Sequence, residues 1–173
     1  MSEDKKKKLQ ATGLVDWPVF SEIIAMDEDE EEFSKSLIQT FYTQVEETFQ
    51  KFSNLINEKN LEELSKAGHF LKGSAAALGL GTIATQCERI QNYGHKINFD
   101  NFEYPATATT TTTTSSPHSI HTSSSENNTN NNNTTTTPDE SSDDFWIALI
   151  KDALEKAQDG YTKSKKALTD YYS

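Results

Sequence analysis

Histidine, lysine and glycine come in quick succession in the stretch GHFLKGSAAALGLG, residues 68 to 81. On a helix, residues three and four apart are neighbours, so His69, Lys72 and Gly73 would share one surface patch. Ser65 and Ala76 extend it into a strip of small residues from which only an imidazole and an ammonium project far. A neutral imidazole nitrogen is a good nucleophile, and with an ordinary pKa of about 6.5 an exposed histidine is mostly uncharged near neutral pH. A phosphoryl group taken up by His69 would need a cation within reach, and Lys72 is a flexible point charge one turn away. Gly73 would remove the side chain that crowds that group and an incoming partner, at a helix-propensity cost of about 1 kcal/mol relative to Ala. A surface histidine with a lysine three residues later is also a common pairing with no chemical consequence. Spacing by itself leaves both readings open. Gly68 and Gly94 read instead as positions of close helix packing.

The patch needs helices to carry and position it. Helical periodicity recurs in every segment of ordinary composition, and no strand-like alternation stands out. Asp16 before Trp17-Pro18 predicts an N-cap with proline in the first turn of a short helix reaching Met26. Its apolar residues fall on two sides: Val19, Ile23 and Met26 on one, Phe20 and Ile24 on the other. The acidic run 27–32 supplies negative charge to the start of a second helix, where the macrodipole favours it. Phe33, Leu37, Phe41, Val45, Phe49, Phe52 and Ile56 then follow in steps of four and three. Asn60 can cap a third helix, with Glu63 completing something close to a capping box. Its seam is Leu61, Leu64, Gly68, Leu71, Ala75 and Leu78, and Gly79 to Gly81 ends it. Thr82 is the predicted cap of a fourth helix with the seam Ile83, Cys87, Ile90, Gly94 and Ile97. A last helix opens at Ser142 or Asp143 and carries Trp146, Leu149, Ala153, Ala157, Tyr161, Ser164, Leu168 and Tyr171.

The expected fold class is all-α, a four-helix bundle with an additional short N-terminal helix across one end or edge. Residues 1–15, which include Lys5 to Lys8, read as a mobile basic tail. Residues 16–173 read as one helical-bundle domain interrupted by a low-complexity loop at 105–142. That loop is almost wholly Thr, Ser and Asn, too polar to offset chain entropy, so it is expected to be disordered.

Composition excludes several functions. A net charge of -11 makes the chain a poor partner for a phosphate backbone, so no nucleic acid is expected. The single cysteine, Cys87, forbids an intrachain disulfide and fits a reducing compartment. No apolar run approaches a membrane span and no signal-peptide core is seen, so a soluble, cytoplasmic protein is expected, small enough to diffuse into the nucleus. No GxxxxGK[ST] loop is present, which argues against an ATP-dependent kinase.

The residue order goes further than the spacing. GHFLKGSAAALGL closely resembles the signature of histidine-containing phosphotransfer (HPt) proteins: His, two residues, Lys-Gly-Ser, then small residues and Leu-Gly. DWPVFSEIIAMDEDEEEFSKSLIQTF, CERIQNYGHK and the tail ending in DYYS look like the fungal intermediates of osmosensing phosphorelays. The resemblance fails only across the Thr/Asn-rich loop. It implies that His69 is the phospho-accepting histidine, that Lys72 steadies the phosphoryl group, and that Gly73 keeps the site open. It also implies that Gln91 lies near the histidine, with His95 standing where the fungal relatives carry an arginine. Val19, Ile23 and Met26, extended by Phe33, Leu37 and Phe70, correspond to positions that dock a receiver domain, although Phe33 and Leu37 also fall on a core-like seam.

The implied function is that of a phosphorelay intermediate. It would accept a phosphoryl group from a receiver-domain aspartate of a hybrid sensor histidine kinase and pass it to an aspartate of a downstream response regulator. A monomer with no bound cofactor is expected, with Mg²⁺ held by the partner receiver. Two alternatives stay open: a receiver-binding adaptor that accepts no phosphate, and a metal-binding bundle using His69, Cys87 and His95. The second is weakened by the place of Cys87 on the core seam and by the lack of a Glu-x-x-His pair.

Overall fold

The computed structural model describes residues 3–28, 32–103 and 140–173, and among them every regular element is helical. In chain order these are α1 (Glu3–Ala11), α2 (Trp17–Ala25), a 3-10 turn at Met26–Glu28, α3 (Phe33–Asn57), α4 (Leu61–Ala77), α5 (Gly81–Gly94) and α6 (Asp143–Tyr172). The last four make a four-helix bundle, in which α4 packs closely on α5, α5 on α6, and α3 closes against α4 and α6.

The reason lies in the apolar stripes, because a helix with such a stripe must turn it inward. Phe52, Leu64, Leu71, Ile83, Ile90, Leu149 and Ile150 have no exposed surface, and burying each contributes about 1.5–3 kcal/mol. Every member of the predicted stripe of α6, from Trp146 to Tyr171, is buried. Of the stripe on α3, Phe41 to Ile56 are buried, whereas Phe33 and Leu37 are only half-buried.

The ends are fixed by specific bonds. Asn60 Oδ1 accepts the Glu63 amide at 3.2 Å, and Ser142 Oγ accepts the Asp144 amide at 3.2 Å, each satisfying a donor at a helix start. Asp16 occupies the N-cap of α2 without a side-chain bond, and its amide instead donates to Gly79 O at 2.7 Å. Gly79, just past α4, has φ +73°, and a Cβ there would stand 2.8 Å from Asp16 O. Only glycine meets both demands. α3 starts from farther away: the Asp27 carboxylate accepts both the Ser34 amide and the Ser34 hydroxyl at 2.6 Å.

Several expectations need correction. The basic segment read as a tail is largely helical, since Glu3–Ala11 forms α1 on the flank of α6. One apolar residue, Leu9, enters the core at 2 % exposure, while Lys6 sits 5.3 Å from the Trp17 ring centre and Lys5 donates to Ser173 O. The lysine stems thus lie along apolar surface with their charges outward. Thr82 does not cap α5, because Leu80 turns into the core at 1 % exposure and takes the N-cap position itself. Ile97 lies beyond the end of α5 and is 49 % exposed. Ser65, placed on the surface strip by spacing, is buried and donates its hydroxyl to Gln91 O at 2.8 Å. The low-complexity loop at 105–142 falls mostly outside the described residues, save its end at Glu140–Ser142.

A candidate phosphoacceptor site on the α4–α5 face

Two glycines set the register of α4 against α5. A Cβ on Gly68 would lie 2.9 Å from Cys87 O and 3.0 Å from Gln91 N, and one on Gly94 would lie 2.6 Å from Leu61 O. The helices therefore run antiparallel with their backbones in close approach. With Gly68 facing inward, His69 is about 100° farther around the axis and emerges exposed. Phe70 follows it onto the surface at 59 % exposure.

Lys72 lies one turn beyond His69, its side chain 30 % exposed and its Nζ 3.6 Å from Glu88 Oε1 on α5. Gly73 is exposed, and a Cβ there would meet nothing within 4 Å. Ser74 Oγ accepts from Gln44 Nε2 at 2.8 Å, tying this part of α4 to α3. Gln91 is half-buried beside Gly68, and its Oε1 is fully buried without a hydrogen-bond partner.

His69, Lys72 and Gly73 thus share one face of α4, and Gln91 lies beside Gly68 on the neighbouring helix. His95 is set apart: it is the exposed C-cap of α5, and the packing of Gly94 on Leu61 and Ser65 puts it about 10 Å farther down the helix axis. Of the apolar positions, Met26 is 51 % exposed, Phe70 59 %, and Val19, Phe33 and Leu37 are half-buried. Ile23, expected to face a partner, is only 7 % exposed, because α2 rolls both Phe20 and Ile23 onto the bundle.

Two neighbours of the histidine escaped the sequence reading. Glu88 faces Lys72 across the groove, visible only once the antiparallel register is known. Lys66, one turn before His69, is a second nearby cation, but Glu62 and Glu63 hold it at 2.8 Å each. The i,i+4 and i,i+3 spacing of those carboxylates could have shown that. The buried Cys87 thiol is pushed up to about 12 by burial, and among the described residues no group of three or more His, Cys, Asp or Glu is placed to hold a metal ion. Nothing here favours the metal-binding reading.

An antiparallel helical bundle presenting an open histidine with a lysine one turn on is the architecture of a phosphotransfer domain. The chain belongs to the histidine-containing phosphotransfer family, as a phosphorelay intermediate: the Hpt domain family matches residues 36–111. It is similar to the phosphorelay intermediate protein YPD1 of Candida albicans, 59% identical over 183 residues, covering 99% of this chain and 100% of that protein. The crystal structure of yeast Ypd1p superposes with a TM-score of 0.66 at 30% identity, covering 92% of this chain and 94% of that one. A co-crystal structure of Saccharomyces cerevisiae Ypd1 with the receiver domain of its downstream response regulator Ssk1 matches with a TM-score of 0.65 at 34% identity, over 92% of this chain and 94% of that one.

Proposed function

We propose that His69 accepts the phosphoryl group and that this chain relays it between receiver domains. The observation that carries the reading is the exposed imidazole with Lys72 one turn on and open space above Gly73. A ring-nitrogen lone pair of neutral His69 attacks the phosphorus of a receiver's phosphoaspartate in line. The bond from phosphorus to the carboxylate oxygen breaks, the aspartate leaves with the bonding pair, and the ring proton on the other nitrogen passes to solvent. The return step onto a second receiver is the reverse. Such a transfer needs alignment and charge neutralisation more than covalent machinery, and Lys72 supplies the cation from this side.

The receiver brings the aspartate and is expected to hold Mg²⁺. Phe70, Met26 and Val19, with Phe33 and Leu37 at their margin, form the docking surface in this reading, and Gln91 steadies the histidine. The donor is the receiver of a hybrid sensor histidine kinase and the acceptors are downstream response regulators, met by a monomer in cytoplasm and nucleus. No helix among the described residues is long and apolar enough to cross a membrane. The test is transfer of radiolabelled phosphate from a phosphorylated receiver to the full chain and to His69→Gln. Acid-labile, base-stable label on the wild type alone supports the reading. Label retained by the receiver while the proteins still bind replaces it with a non-catalytic adaptor.

A further inference from the structure

Resting on His69 as the acceptor, the geometry points to Glu88 as a positioning residue that competes with the phosphoryl group for Lys72. Two lysines lie within one turn of His69, and they differ in how they are held. Lys66 is clamped by Glu62 and Glu63 at 2.8 Å each, within hydrogen-bonding range of both. Lys72 stands farther from its carboxylate, 3.6 Å from Glu88 and outside the range of a charge-assisted hydrogen bond. Glu88 therefore attracts the ammonium through its field without locking it. Lys72 can swing to a new anion without breaking a formed hydrogen bond.

A phosphoryl group on His69 is that anion. It carries more charge than one carboxylate and stands one turn from Lys72, so the ammonium moves toward it. Glu88 is then left facing the phosphoryl group without its cation, with Gln91 and His95 the next side chains along α5 on that side. The carboxylate's pull on Lys72 and its repulsion of the phosphoryl oxygens both act against the loaded state. Glu88 thus weakens the grip on phosphohistidine and keeps the group readily passed on. A carrier benefits from such balance, because tight neutralisation would make it a sink.

The test measures the equilibrium between phosphohistidine on the full chain and phosphoaspartate on an isolated receiver domain, and the half-life of the phosphohistidine once the receiver is removed. Glu88→Gln is expected to shift the equilibrium toward phosphohistidine about two- to fivefold, the range an exposed ion pair commands, and to lengthen the half-life. Glu88→Asp, which keeps the charge, should restore most of the wild-type balance. In a Lys72→Ala background, Glu88→Gln should shift the equilibrium much less. An unchanged equilibrium with Glu88→Gln of normal helicity overturns the proposal, as does an equal shift with and without Lys72. Absence of label at His69 in the wild type would instead overturn the acceptor assignment itself, so the two failures are distinguishable.

Discussion

The Tyr172 hydroxyl donates to Ser34 Oγ at 2.7 Å, joining the end of α6 to the first turn of α3. Ser34 has no exposed surface and spends its own hydroxyl on Asp27, so three segments meet at one buried group. Ser34→Ala leaves the tyrosine hydroxyl unpartnered and removes one of the two donors to Asp27. Urea denaturation should show a loss of about 1–3 kcal/mol, the cost of an unsatisfied buried polar group.

The helix glycines should separate by what a methyl group would meet. Gly73→Ala adds a Cβ in open space and is expected to stabilise the bundle by about 1 kcal/mol through helix propensity. Gly94→Ala drives its methyl to 2.6 Å from Leu61 O and 2.7 Å from Ser65 Cβ, so it should cost about 1–3 kcal/mol or more. Thermal melts of the two variants, set beside phosphoryl uptake, would show whether Gly73→Ala gains stability while transferring more slowly.

Arg89 is the chain's single arginine and is 6 % exposed. Its guanidinium reaches Asp152 at 3.0 Å and Asp100 at 3.1 Å, and lies 4.4 Å from the Phe102 ring centre. It thereby fastens the segment after α5 to α6. Arg89→Ala removes that cation, leaving Asp152 with Lys156 at 2.9 Å and Asp100 with the Tyr93 hydroxyl at 2.8 Å, and should cost about 1–3 kcal/mol. Arg89→Lys should recover little, because an ammonium offers neither the planar fork nor the stacking. Denaturation of both variants checks this.

Alkaline pH should loosen the fold. Burial pushes the Tyr42, Tyr93 and Tyr172 hydroxyls up to about 12 from an ordinary 10.0. Between those values the unfolded chain has shed protons that the folded chain keeps. The tyrosines' contribution to stability is therefore fully present below about pH 10 and is lost as pH rises through about 12. Denaturation at stepped pH should trace that decline, with a shallower slope in Tyr42→Phe.

The bundle was legible in the sequence because its apolar steps are long and regular, and His69 because it sits one place off such a stripe. What escaped depends on contacts between segments. Leu9 gave no periodicity, so α1 could not be foreseen from a run of lysines. Ser65 shares the spacing of His69's face but faces α5, a difference of rotation that only packing against Gly94 decides. Ile23 shares the spacing of Val19 and Met26 but turns onto the bundle, because the roll of a nine-residue helix is decided by packing and not by its own periodicity. Glu88 meets Lys72 across a register set by Gly68 and Gly94, and neither glycine announces its partner.

The open ground above Gly73 has a wider consequence. In the proposed relay, an exposed histidine beside the open space at Gly73 does not by itself choose what approaches. Whatever presents an acidic phosphorylated centre and fits the surrounding surface can use the same imidazole, in either direction. Traffic through such a station is then governed by how many partners of each kind are present and how heavily each is loaded. Routing becomes a property of the crowd around the protein rather than of the residue that does the chemistry.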